Sequence, residues 1–364
     1  MKTLLVNQDE VKQWLPMSEC VTVMAEALKS LAAGHALQPL RPIMWLPERT
    51  GALAMMPAYS GSLHVMGLKV LSIFPRNHGT PYDSHRGAVL LFEAEHGQLL
   101  AIIDATEITA LRTAAVSGVA TQVLARPEAS TLAIFGSGVQ AWSHLAAMAC
   151  VRPISHVQVW SRSLEHAQRF AERAARHYNL NVEAMRTAEA AVQDADIICT
   201  TTSSKEPVLL GEWLEPGVHL NAVGACTPTT RELDAAAMLK SRLFTDSRES
   251  LLNEAGDFII PQKAGALQED HIAGELGEVL LERVRGRTSA KDITLFKSLG
   301  LGIEDVAAAH HIYQKMSAEN AGTMLSYTKS VKSPMRSARR WRKPSARAWH
   351  CAKRAACSRF SSRL

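Results

Sequence analysis

The sequence has no apolar run approaching the roughly 18–20 residues that a bilayer-spanning helix requires, so no membrane span is expected. It also lacks a CxxC pair. Its six cysteines (Cys20, Cys150, Cys199, Cys226, Cys351 and Cys357) are scattered, which points to neither a zinc site nor a disulfide framework. Reduced thiols in a cytoplasmic protein are the simplest account. The opening MKTLLVNQDEVKQW has one lysine and a short apolar patch before it turns polar; no secretory leader is read from it. Acidic residues are missing from the far end. Residues 324–364 hold twelve Lys/Arg and no Asp or Glu, so the net charge of +5 becomes −7 for residues 1–323. A mildly acidic body gives no reason to expect nucleic acid as a partner. The segment 324–364 is rich in Arg, Ser and Ala and sustains no apolar period. It reads as a basic, disordered appendage rather than as a nucleic-acid-binding arm.

What is present describes a globular chain of 364 residues, 47% hydrophobic, long enough for two domains. The most informative stretch is TLAIFGSGVQA (131–141). A short apolar β-type run, Leu132–Phe135, stops at Gly136-Ser137-Gly138-Val139-Gln140-Ala141, and a helix-compatible segment follows. Gly136 allows the tight turn out of the strand, and Gly138 leaves room for a pyrophosphate to approach bare backbone. Ala141, in place of a third glycine, still permits close helix–strand packing. The helix N-terminus offers free N–H groups to the phosphates. Together these features predict a Rossmann-type nucleotide-binding unit.

The rest of the chain agrees with that unit. Strand-like segments 132–135, 156–160, 181–184, 196–200, 219–223 and 243–245 alternate with helix-like ones, notably 164–177 and 188–194, which predicts a parallel, doubly wound sheet. Before it, strand-like runs 43–46, 53–56, 66–74, 88–92 and 99–103 are separated by Gly and Pro, with a hairpin turn at His96-Gly97-Gln98. These predict a mostly antiparallel sheet. A helix capped by Ser18 carries Val21, Met24, Leu28 and Leu31 at helical spacing. Residues 109–124 read as a helix entering the nucleotide unit. A last helix, 304–316, places Val306, Ala309, His310 and Tyr313 on one side, with His310 and His311 as surface or packed residues rather than ligands.

NAD-selective units carry an acidic residue at the end of the second strand. Here Ser161-Arg162-Ser163 follows HVQVW, and no acid appears before Glu165. Arg162 would pair with a 2′-phosphate and the serines would hydrogen-bond it, so NADP(H) is expected over NAD(H).

Six segments together resemble the ornithine cyclodeaminase/mu-crystallin family: MGLKVLSIFP (66–75), IDATEITALRTAAVSGVA (103–120), IFGSGVQA (134–141), NAVGACTPTTREL (221–233), NEAGDF (253–258) and ITLFKSLGLGIEDVAAA (293–309). Their order and spacing agree up to about residue 316, and the segment beyond about 323 lies outside the likeness. The resemblance implies an α/β homodimer. A substrate-binding and dimerisation domain of α+β type (1–125 plus 300–323) would receive an inserted Rossmann domain (126–299), followed by the tail 324–364. It implies that Lys69, Arg112 and Arg41 hold a substrate carboxylate beside the nicotinamide, with Lys69 managing a proton. Thr113, at the domain junction, would touch a coenzyme phosphate.

Family chemistries differ, and Cys226 discriminates between them. Ornithine-deaminating members carry an aspartate at this position, and a thiol with an ordinary pKa of about 8.5 replaces it poorly. Cys226 would then pack against the nicotinamide. The leading expectation is an NAD(P)H-dependent reductase of a small cyclic imino acid, Δ1-pyrroline-2-carboxylate or its six-membered relative, giving proline or pipecolate. The alternatives are an ornithine cyclodeaminase using catalytic NAD, or a non-enzymatic crystallin-like binding protein. Neighbouring carboxylates such as Asp234 or Asp246 would have to compensate for Cys226 in a cyclodeaminase, and nothing in the sequence places them in the site.

Overall fold

The computed structural model describes residues 2–77, 80–82 and 84–326. In its first part come β1 (Thr3–Val6), α1 (Gln8–Trp14), α2 (Met17–Ala32), β2 (Ala36–Leu37), β3 (Ile43–Trp45), β4 (Ala52–Ser60), β5 (Val65–Ile73), β6 (His85–Glu93), β7 (Leu99–Asp104) and α3 (Ala105–Leu124). There follow β8 (Thr131–Phe135), α4 (Val139–Val151), β9 (His156–Trp160), α5 (Leu164–Tyr178), β10 (Asn181–Ala184), β11 (Ile197–Thr200), β12 (His219–Ala222), α6 (Ala235–Lys240) and β13 (Arg242–Thr245). The chain then forms α7 (Arg248–Glu254), α8 (Gly256–Lys263), β14 (Ile272–Glu275), α9 (Leu276–Leu280), β15 (Thr294–Lys297), α10 (Gly302–Ala318) and β16 (Thr323–Leu325).

The first sheet has the order β16-β1-β7-β6-β5-β4-β2, with β3 also on β4. Every pairing in it is antiparallel except β1 with β7. Its covered face is lined by small residues (Ala52, Ala54 and Ala58 on β4, Gly67 on β5), so α10 packs closely on β4 and β5. The opposite face stays apolar. Pro57, Leu68 and Leu90 pair side by side across β4, β5 and β6, all half-buried, with Met66 exposed beside them.

The second sheet has the order β10-β9-β8-β11-β12-β15-β13-β14, and every pairing is parallel. From β8 the chain builds outward through β9 and β10 on one side and from β11 on the other. The order therefore reverses between β8 and β11, where doubly wound sheets open a ligand crevice. The fold is the expected α/β class, with a Rossmann-type sheet beside a mostly antiparallel one.

Several local expectations differ from the structure. Ser18 does not cap α2; the N-cap is Pro16, and Ser18 lies in the first turn. The helix expected at 109–124 begins four residues earlier, because Asp104 accepts from Glu107 N at 2.9 Å and caps α3. The stretch 188–194 reduces to a 3-10 turn, Ala190–Val192, because Gln193 already has extended backbone and Asp194 a φ of 57°. In α10 the buried stripe runs through Asp305, Ala308, Ala309, Ile312 and Met316, while His310 and Tyr313 lie at its edge. His311 Nε2 sits 2.7 Å from Glu19, and His310 contacts Gln314.

Strands β1, β2, β14, β15 and β16 were not anticipated. Met324 and Leu325 pair with β1 rather than belonging to the tail. The remainder of the tail, 327–364, lies outside the described residues. Among the described residues, no helix is long and apolar enough to cross a membrane.

Candidate active site

Strand periodicity puts Lys69 on the covered face of β5, opposite Met56 and Val89 and beneath α10. Arg112 lies on α3, a helix buried along most of its length. Both side chains sit almost wholly out of solvent, Lys69 at 1% and Arg112 at 4% exposure. Buried cations need partners, and the first turn of α10 supplies them. Lys69 Nζ donates to Asp305 Oδ1 at 2.8 Å and lies equally close to Oδ2. Arg112 donates from Nε to Asp305 Oδ1 at 2.9 Å and from Nη1 to Glu304 Oε2 at 2.8 Å. Two carboxylates at a helix N-terminus also sit favourably in the helix dipole. Arg112 Nη2 makes no hydrogen bond within the described chain.

Arg41, between β2 and β3, joins the same centre. It forms a two-pronged pair with Glu254, Nε to Oε1 at 3.0 Å and Nη2 to Oε2 at 2.6 Å, and Nη2 also donates to Leu299 O at 2.6 Å. Leu299 and Gly300 form a turn that touches both arginines. Gly300 has φ +77°, and a Cβ there would meet Arg112 Nη1 at 2.5 Å, so only glycine fits. Asp246, fully buried after β13, pins this turn: its Oδ2 accepts from Leu299 N at 2.7 Å and Gly300 N at 2.8 Å.

The three predicted cations are thus brought together, but not as a bare positive pocket. Each has a resident carboxylate, and none of these was singled out from sequence. Asp246, which sequence left unplaced, backs the site. Asp234 is only a helix cap, accepting from Ala237 N at 2.7 Å and Gly211 N at 2.9 Å. Burial, followed by the neighbouring Arg112 charge, lowers the Lys69 pKa to about 8. Burial pushes Glu304 up to about 7 against the opposing pull of Arg112.

The glycine turn has the expected form. Gly136 has φ +114°, and a Cβ there would lie 2.9 Å from Thr201 Oγ1. A Cβ at Gly138 would meet nothing within 4 Å, and no side chain caps α4 behind it. Space and free N–H groups at one helix start suit a pyrophosphate. Val139 is exposed there, and Ser137 Oγ donates to Ser161 Oγ at 3.2 Å across β8 and β9. Arg162 is exposed and has no ion pair among the described residues. Ser163 is engaged as the cap of α5, accepting from His166 N. Thr113 is buried on α3, and Cys226 is half-buried in the loop after β12. The two halves of the site meet at Thr109. Its hydroxyl accepts from Lys69 Nζ at 3.2 Å and its carbonyl from Gln140 Nε2 at 3.4 Å.

A sequence profile of the ornithine cyclodeaminase/mu-crystallin family matches residues 1–320. The chain belongs to this family. It is 39% identical over 287 residues to the ketimine reductase mu-crystallin of Mus musculus, covering 78% of this chain and 87% of the relative. It is 33% identical over 325 residues to a Δ1-pyrroline-2-carboxylate reductase of Bacillus cereus, covering 89% and 100%. Among solved structures it resembles the Thermococcus litoralis Δ1-pyrroline-2-carboxylate reductase in complex with NADH and L-proline (TM-score 0.86, 36% identity, 88% of this chain and 99% of that one). The family assignment made from the six segments therefore holds. In this family member, the FKSLGLGIEDVA segment is what delivers Gly300, Glu304 and Asp305 to the cations.

Proposed function

We propose that this protein reduces a small cyclic imino acid, Δ1-pyrroline-2-carboxylate or Δ1-piperideine-2-carboxylate, to proline or pipecolate, with NADPH preferred over NADH. The observation that carries the reading is Thr109, which joins the cation cluster to the start of the glycine-turn helix. A carboxylate held by the cations would then lie beside the coenzyme crevice. Relatives at 39% and 33% identity are named a ketimine reductase and a Δ1-pyrroline-2-carboxylate reductase, which supports the reading.

In this reading Gly136, Ser137, Gly138, Val139 and Gln140 hold the pyrophosphate, with Thr113 near a phosphate and Cys226 along the ring. Ser161, Arg162 and Ser163 face the adenosine ribose and its 2′-phosphate. When bound, the reduced nicotinamide supplies the hydride. The chain supplies the rest. Arg112, through its free Nη2, and Arg41 orient the carboxylate. Lys69, with its lowered pKa, exchanges a proton near neutral pH. The buried walls exclude water. Residues 1–125 with 300–323 bind substrate, and residues 126–299 bind coenzyme. The apolar outer face around Leu68 and Leu90 fits a second copy of the chain, giving a homodimer. The free thiols Cys20, Cys150, Cys199 and Cys226 suit the cytoplasm. Cys226, at the position where the family resemblance implies an aspartate in ornithine-deaminating members, supports reduction over cyclodeamination.

The test is a spectrophotometric assay of purified protein with NADPH or NADH and both imino acids. Coenzyme oxidation with either ring, faster with NADPH, is expected. Coenzyme binding with turnover of neither ring would refute the reading, and ammonia released from ornithine without net coenzyme change would replace it with cyclodeamination.

A further inference from the structure

Three buried charged residues, Glu232, Asp257 and Lys297, have no part in the reading so far, and each is 0% exposed. The Glu232 carboxylate reaches the C-terminal ends of two adjacent strands of the parallel sheet. Its Oε2 accepts from Thr200 Oγ1 at 2.9 Å and Gly224 N at 2.6 Å, and its Oε1 accepts from Thr202 N at 2.6 Å. Thr200 ends β11. Gly224 lies just beyond β12, two residues before Cys226. One carboxylate therefore joins the two loops that leave these strands.

The loop after β11 also forms a wall of the glycine turn. Thr201 donates to Phe135 O from both its N and its Oγ1 at 2.9 Å, and its Oγ1 is the atom that a side chain at Gly136 would strike. Behind Glu232, Asp257 Oδ1 accepts from Glu232 N at 2.7 Å and Leu233 N at 3.0 Å, fixing the backbone from which the carboxylate hangs. Lys297, at the end of β15, pairs with Asp257 at 3.0 Å and donates to Ala222 O at 3.3 Å. Ser298, Leu299 and Gly300 follow it directly, so the arginine-touching turn grows from the same strut. Three donors on one buried carboxylate form a satisfied, rigid network, and a network like this holds neighbouring groups in register.

Ligands of doubly wound sheets bind outside the carboxyl ends of the strands, which is where these loops lie. We infer that Glu232 is a positioning residue for hydride transfer: by joining loops 200–202 and 223–226 it sets where the reactive end of the coenzyme lies relative to the arginine clamp. The inference rests on the reductase reading above.

Glu232→Gln keeps the shape but turns one acceptor into an N–H facing backbone donors. Thr200→Val removes a single bond of the network and guards against a folding failure in the first variant. With NADPH and imino acid, kcat of Glu232→Gln is expected to fall about 10–100-fold, as misplacement of reacting groups does. Thr200→Val falls less. The primary isotope effect from 4-deuterated NADPH rises, while KM for the imino acid stays within about twofold. Val159→Ala, a core variant in β9, reports what loss of stability alone does. An unchanged kcat and isotope effect in Glu232→Gln, or the same changes in Val159→Ala, would overturn the inference. A wild type that binds NADPH but reduces neither imine removes the proposed reaction instead. The NADPH Kd, read from its fluorescence, then decides the role of Glu232: weaker binding in Glu232→Gln supports it, and an unchanged Kd overturns it.

Discussion

Lys69 Nζ lies 2.8 Å from both carboxylate oxygens of Asp305, and one of those oxygens also accepts from Arg112 Nε at 2.9 Å. A single acidic side chain thus sets the separation of two cations. Asp305→Asn leaves Lys69 without a negative partner in a dry interior and Arg112 with Glu304 alone. Unfolding in urea should show a loss of about 3–5 kcal/mol, the cost of breaking a buried ion pair. A variant as stable as wild type would contradict this.

Coenzyme choice is expected to turn on the exposed Arg162. Arg162→Ala should lower kcat/KM for NADPH by about 10–100-fold, the loss of one or two charge-assisted bonds, and leave NADH almost untouched. Steady-state kinetics with both coenzymes measures it. Equal losses with the two would show that Arg162 does not read the 2′-phosphate.

Titration of the site is expected to show in two measurements. As pH rises through about 8, Lys69 loses its proton, and kcat/KM for the imino acid should fall. Glu304 loses its contribution in the same direction, read in a stability measurement. Its folded-state pKa is raised from 4.5 to about 7, so the folded chain holds the extra proton in that window. The stability drawn from this proton is present below 4.5 and is lost as pH rises through 7. Glu304→Gln should therefore gain Tm relative to wild type between about pH 5 and pH 8. A constant difference in Tm across that range would remove Glu304 from the account.

The apolar outer face makes its own prediction. Leu90 lies near the middle of it, beside Leu68. Leu90→Glu would bury a charge in any copy-to-copy contact there. Sedimentation should show a dimer for wild type and a monomer for the variant. A wild-type monomer, or a variant that still dimerises, would exclude this face.

How much was legible in the sequence depended on the range of each signal. The glycine turn was readable because strand, turn and helix are neighbours in the chain. The antiparallel strands of the first sheet were readable from alternation and Gly/Pro punctuation. Strand β1 was not, since four residues at the N-terminus gain meaning only beside β7 and β16, about 100 and 320 residues away. Lys69 and Arg112 stood out as bases in matched segments, and Arg41 in the loop before β3, but their partners did not. Glu304 and Asp305 look like an ordinary acidic first turn until the fold sets them against α3. Glu254 and Asp246 are paired by contacts across the chain, for which local pattern has no counterpart. Glu232 was passed over inside a quoted segment because its bonds run to strand ends on either side of it.

The lateness of α10 has a consequence for biosynthesis. Lys69 and Arg112 leave the ribosome long before residues 304 and 305, and β1 waits for residue 325 to cover its far edge. During most of translation two positive groups destined for a dry interior have nothing to neutralise them. The second sheet closes only once β15, residues 294–297, has joined β12 and β13, and the cation cluster gains its acidic partners a few residues later, so nascent chains that stop before residue 304 lack them altogether.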